Sequence, residues 1–188
     1  MAERIELRLC GYGGQGIILA GFIVGQAVSI FEGKYATYIR DYGPEARGGT
    51  CRADVVVSDE PVSYPYIVAP SVLVAMSQQA YDKYHPHNHD NALVIIDEDL
   101  VKPLPDGRRL VTIPARSIAE ELGRVAVANV VMLGFFTAVT DLVTVRSMKK
   151  SLLTAVPQGT EDLNMAAFDR GYRYGQEHYG ADKAKKSA

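Results

Sequence analysis

The opening of the chain restricts the fold more than any other part. Ile5, Leu7 and Leu9 alternate with Glu6 and Arg8, the two-residue period of a strand. The run ends in Gly11-Tyr-Gly-Gly-Gln-Gly16, and Gln15 to Phe31 then reads apolar on nearly every side. A helix with no polar face belongs between a sheet and a second layer. Strand, glycine turn and buried helix in that order start an α/β domain.

The remaining pattern continues in the same style. Lys34 to Ile39, Ser71 to Met76, Ala92 to Asp97 and Leu110 to Ile113 read as strands. Ala53 to Ser58 and Val62 to Ile67, separated by Asp59, Glu60 and Pro61, read as an inserted hairpin. Helical periodicity covers Gln78 to Tyr84, Ser117 to Leu122, Ala126 to Val139, Val145 to Val156 and Leu163 to Tyr179, with Thr144 and Thr160 as candidate caps. The expected architecture is a three-layer, Rossmann-like α/β fold: a mainly parallel sheet, helices on both faces and an inserted β-hairpin. It forms a single domain over residues 4–180, followed by a polar tail at 181–188. Such sheets bind ligands beyond the carboxyl ends of their strands, where Gly11 to Gly16 and the loop Asp41 to Thr50 would lie.

Both loops have chemistry to offer. Gly11, Gly13 and Gly16 satisfy G-x-G-x-x-G between a strand and a helix, and N–H groups at a helix start attract anions. Gly14 and Gln15 complete the turn. Its readings are a ligand cradle, a dinucleotide site using Asp41 as the ribose acid, and a tight turn that only packs. The second loop, Tyr42-Gly-Pro-Glu-Ala-Arg-Gly-Gly-Thr50, adds Arg47 beside Gly48 and Gly49. A guanidinium with glycine N–H groups suits a phosphate or carboxylate, and Arg40 and Arg52 make the loop locally positive. The alternative is a solvated loop with Glu45 paired to Arg47.

Composition excludes several classes. Lys and Arg number 20 against 22 Asp and Glu in 188 residues, so no whole-chain field draws in nucleic acid or an anionic membrane. Cys10 and Cys51 are the only cysteines, too few for a four-thiolate iron-sulfur cluster. His85, His87 and His89 alternate around Pro86 and read as a solvated loop rather than a metal site. With no secretory leader in Met1 to Glu6 and no apolar run of spanning length, a cytoplasmic location is expected. The nearly apolar helices at Gln15 to Phe31 and Ala126 to Val139, with Tyr35, Tyr38, Tyr42, Tyr64 and Tyr66, suggest a partner surface.

Four motifs taken in order, Gly11 to Gly16, Tyr42 to Gly49, Asn129-Val-Val-Met-Leu-Gly134 and Asn164-Met-Ala-Ala-Phe168, resemble the gamma subunits of 2-oxoacid:ferredoxin oxidoreductases. The match runs from about Ile5 to about Tyr174. The resemblance implies a subunit, inactive alone, of a complex that converts a 2-oxoacid and coenzyme A to acyl-CoA, carbon dioxide and reduced ferredoxin. The 2-oxoglutarate branch is preferred over pyruvate, branched-chain and indolepyruvate branches. It implies alpha and beta partners holding thiamine diphosphate and iron-sulfur clusters, sometimes a delta subunit, and ferredoxin met through the complex. No cofactor is expected on this chain alone. Coenzyme A is the candidate ligand for Gly11, Gly13, Gly14, Gln15, Gly16, Arg47, Gly48 and Gly49. The competing readings are a subunit interface built from the same loops, and a stand-alone nucleotide-binding protein.

Overall fold

The computed structural model describes residues 4–43 and 49–184. Six strands form one sheet: β1 (Arg4–Tyr12), β2 (Tyr35–Asp41), β3 (Thr50–Ser58), β4 (Val72–Ala75), β5 (Leu93–Asp97) and β6 (Arg109–Ile113), in the order β2-β3-β1-β4-β5-β6. β1, β4, β5 and β6 run parallel. β3 is antiparallel to both β1 and β2. Three of the five pairings are thus parallel.

The antiparallel hairpin is present, but it consists of β2 and β3 rather than two strands after Ala53. Val62 to Ile67 forms no strand. Pro61, Pro65 and Pro70 remove ladder donors, and the segment is instead strapped across one sheet face. Arg4 donates to the carbonyls of Tyr64 and Tyr66 at 3.0 and 2.9 Å, while Glu6 accepts from the N–H groups of Val68 and Ala69 at 2.8 and 3.0 Å.

The two sheet faces are unequal. Leu7, Leu9, Val55, Val74, Ile95 and Val111 point into the larger core. That core packs against α1 (Ile17–Gln26), α3 (Ala115–Glu121), α4 (Ala128–Val139), α5 (Val145–Ala155) and α6 (Glu161–Ala184). The other face carries Cys10, Leu73, Ala75, Val94 and Ile96 under α2 (Gln78–Tyr84). Beside them Arg8 and Asp54 form a buried two-pronged ion pair at 2.7 and 2.9 Å, with Tyr84 over the guanidinium.

α1 ends in a wider π turn at Ala27–Phe31. Thr144 caps α5, accepting from the N–H of Ser147 at 3.2 Å. Every residue of α4 is buried, and α6 from the same chain covers it, so this helix does not require a partner. The contact is backbone to backbone. A Cβ on Gly134 would lie 2.0 Å from the Phe168 carbonyl oxygen, and one on Gly171 would lie 1.9 Å from that of Val131. α6 also continues to Ala184, past the expected start of the polar tail at Ala181. Among the described residues, no helix is long and apolar enough to cross a membrane.

Candidate functional site

The glycine turn leaves β1 at the carboxyl edge of the parallel strands and leads into α1. Gln15 is its strut. Its side-chain oxygen accepts from the Tyr12 N–H at 2.8 Å, and its amide donates to the Met76 carbonyl at 2.6 Å. One side chain therefore ties the ends of β1 and β4 together and fills the crevice between them, leaving a hollow of about 80 Å³. That crevice is the expected ligand position in an open parallel sheet, and here Gln15 narrows it. Gln15 is a strut of the turn and also lines the hollow that remains.

Gly16 adopts φ +74°, and a Cβ there would meet the Asn129 side chain at 2.3 Å. Asn129, buried at the start of α4, donates to the Gly16 carbonyl at 3.2 Å. A Cβ on Gly11 would meet the Gln15 oxygen at 2.4 Å. Gly13 differs from its neighbours. Its φ lies outside the left-handed range, and nothing within the described chain lies within 4 Å of an added Cβ. Neither a left-handed φ nor packing against the described residues requires glycine at this position. Among the described residues, the N–H groups of Gly14 and Gly16 have no hydrogen-bond acceptor, and the start of α1 has no side-chain cap. The turn thus presents unpaired donors at a helix start, the arrangement that favours an anion.

The two predicted loops do meet, because the Gly13 N–H donates to the Gly49 carbonyl at 3.1 Å. Arg47 and Gly48, and the supposed Glu45 pairing, lie outside the described residues. Of the expected cluster of Arg40, Arg47 and Arg52, the two described members, Arg40 and Arg52, are divided by the pleat of the hairpin. Arg40 stands opposite Ala53, on the α1 side. Arg52 points to the opposite face, pairing with Asp41 at 3.4 Å and Asp54 at 3.7 Å and packing on Tyr84. Asp41 also accepts from the Gly43 N–H at 2.8 Å. Strand β3 separates it from β1, so it is not placed to take the ribose of a nucleotide lying on the turn.

The open space lies on the other side of the turn. A groove of about 510 Å³ is walled by Gly13, Gly14 and Gly16, the α1 residues Ile18 and Phe22, and Tyr38, Arg40, Tyr42 and Cys51 from the hairpin. A second hollow of about 320 Å³ adjoins it, sharing Phe22 and Tyr38. Tyr38 donates its hydroxyl to the Ile18 carbonyl at 2.7 Å, fixing the floor. Sequence reasoning missed this groove and Asn129's hold on the turn. The crowding of tyrosines between Tyr35 and Tyr42 was its available signal. Another hollow, about 430 Å³, lies at the amino edge of the sheet, where Lys34, Asp59, Arg109 and Asp141 mix charges of both signs.

The remaining polar candidates are structural. His85 is buried rather than solvated. It stacks on Tyr81 and contacts Asp106 through Nε2 at 2.6 Å. Asp97, completely buried, accepts from the N–H groups of Asp99 and Arg116, both at 3.2 Å, and so docks the start of α3 on β5. Burial pushes its carboxyl up to about 6, against the backbone hydrogen bonds that pull it down. Burial also raises both thiols, Cys10 and Cys51, above their ordinary range. The two sit on opposite faces of the sheet and neither is an activated nucleophile.

Similarity to known proteins agrees with this geometry. The family model described as pyruvate ferredoxin/flavodoxin oxidoreductase matches residues 6–174. The chain is 47% identical over 178 residues to 2-oxoglutarate synthase subunit KorC of Methanocaldococcus jannaschii, covering 93% of this chain and 95% of that protein. It is 34% identical over 134 residues to ketoisovalerate oxidoreductase subunit VorA of Methanothermobacter thermautotrophicus, covering 71% of this chain but 28% of that protein. A crystal structure of the keto/oxoacid ferredoxin oxidoreductase gamma subunit from Geobacter sulfurreducens PCA superposes with a TM-score of 0.85 at 36% identity. That superposition covers 94% of this chain and 98% of that one. With the glycine turn, the hairpin and the Asn129 contact all inside the matched span, the chain belongs to the pyruvate ferredoxin/flavodoxin oxidoreductase family.

Proposed function

We propose that this chain is the gamma-type subunit of a cytoplasmic, multi-subunit 2-oxoglutarate:ferredoxin oxidoreductase, and that its glycine turn faces coenzyme A. In the reaction the 2-oxoacid loses carbon dioxide, two electrons pass to ferredoxin, and the coenzyme A sulfur takes up the acyl group. Thiamine diphosphate and the iron-sulfur clusters belong to the alpha and beta subunits, with a delta subunit in some assemblies. This chain supplies two buried cysteines on opposite sheet faces, which cannot share a cluster, so its part is binding rather than redox chemistry. The similarity to KorC proteins supports 2-oxoglutarate over other 2-oxoacids.

Gly13 carries the coenzyme A reading. It is a glycine that no contact among the described residues requires, beside unpaired N–H donors at a helix start. Close approach of an outside anion explains both, and coenzyme A brings phosphates. Arg47 would supply the charged fork. The test is Gly13→Ala in the assembled complex. The KM for coenzyme A should rise about tenfold, the loss of one modest contact of about 1.4 kcal/mol, while the KM for 2-oxoglutarate and the thermal midpoint of the isolated subunit stay unchanged. An unchanged coenzyme A constant would refute the reading. So would a lower thermal midpoint, which would show that the fold needs Gly13 after all.

A further inference from the structure

We infer that the groove between α1 and the hairpin docks another subunit of the oxidoreductase, through an apolar side chain and a neighbouring carboxylate that pairs with Arg40. This rests on the subunit reading above. Its first support is α1 itself. From Ile17 to Gln26 the only polar side chain is Gln26, whereas a helix with one face in water ordinarily carries a polar stripe. Its outer side is nevertheless uncovered in the isolated chain. Phe22 is 44% exposed and Ile30, in the following turn, 68%. Phe22 stands edge-on to Tyr38, with ring centres 6.2 Å apart. The two hollows share both rings and together make a largely apolar trough.

Charge narrows the occupant. Among the described residues, those lining the trough include no acid, and their one charge is Arg40. Its guanidinium lies 5.9 Å from the Tyr42 ring centre. Arg52, on the neighbouring strand, has two carboxylates nearby, whereas Arg40 has none among the described residues. A second copy docked through the same patch would bring a second Arg40 and no acid among the described lining residues to meet it. A different chain carrying a carboxylate complements the patch. The adjacent edge agrees. Among the described residues β2 pairs only with β3, in continuous register, and it contains neither proline nor a bulge, two of the devices that guard open edges. In VorA the matching region is 28% of the protein, so there the same unit is joined to a longer oxidoreductase polypeptide.

The test is to produce the chain with the alpha and beta subunits of its own organism and to measure assembly by sizing and by titration. Three variants are compared with the wild type: Phe22→Asp, Arg40→Glu, and Leu153→Asp as a control on exposed α5. The first two should weaken assembly at least about tenfold, as expected of a central anchor, and leave the thermal midpoint of the isolated chain within about 2 °C. The control should assemble normally. Normal assembly of Phe22→Asp and Arg40→Glu would overturn the docking site while leaving the subunit reading standing. If the wild-type chain instead forms a dimer that these substitutions dissolve, a second copy is the occupant and the proposal is wrong. If wild-type chain never joins alpha and beta, the subunit reading fails and this proposal falls with it.

Discussion

Gly11, Gly13, Gly14 and Gly16 are neighbours in sequence and serve different ends. Gly11 leaves room for the Gln15 strut, Gly14 and Gly16 take positive φ, Gly16 also admits Asn129, and no contact among the described residues requires glycine at Gly13. Asp97 allows a sharper single-residue prediction. Its folded carboxyl titrates near 6 against an ordinary 3.8. The folded state therefore holds that proton more tightly than the unfolded state. The stability due to this group is fully present below pH 3.8 and is lost as pH rises through 6, an effect on the order of 3 kcal/mol. Denaturant unfolding followed between pH 4 and pH 7 should show this decline in the wild type, and Asp97→Asn should remove most of it. An identical pH profile in the variant would contradict the assignment. The turn and its context were legible because strand, glycine spacing and helix are local patterns. The division of labour was not, because Met76 and Asn129, the partners that distinguish these residues, lie far along the chain.

At the scale of elements, the buried α4 and its cover illustrate why the third and fourth motifs exist. Gly134 and Gly171 lie where α4 and α6 touch backbone to backbone, and any side chain there must push the helices apart. Gly171→Ala should lower stability by about 1–3 kcal/mol, the usual cost of overpacking. Gly180→Ala, in the same helix with open space around its Cβ position, should be neutral or stabilise by up to about 1 kcal/mol through helix propensity. Thermal denaturation of both variants checks the contrast, and equal shifts would refute it. Element types were legible for the parallel strands and most helices. The hairpin was misplaced because Val62 to Ile67 is β-prone in composition, yet prolines and the hold of Arg4 and Glu6 keep it a strap. Arg8 is a further case. On a strand it alternates with apolar residues as a solvent-facing side chain would, and only the structure shows it buried against Asp54. Replacing Arg8 with Met should cost about 3–5 kcal/mol, because Asp54 is left as a buried charge without its principal partner, and denaturant unfolding would measure it.

On the scale of the whole molecule, the mixed sheet places the glycine turn at the same edge as the end of β2 and the start of β3, with the apolar trough directly beside them. A surface for coenzyme A and a surface for a neighbouring subunit then meet at Gly13, Gly14 and Gly16, which also wall the groove, and this suits a domain that acts only inside an assembly. The central claim is that the chain completes an oxidoreductase it cannot perform by itself. The most direct measurement is 2-oxoglutarate- and coenzyme A-dependent reduction of ferredoxin by three purified samples: this chain alone, the alpha and beta subunits without it, and all of them together. The account predicts no turnover by the chain alone and full turnover only when it is combined with its partners. Turnover by the isolated chain, or undiminished turnover by the alpha and beta subunits without it, would contradict the account.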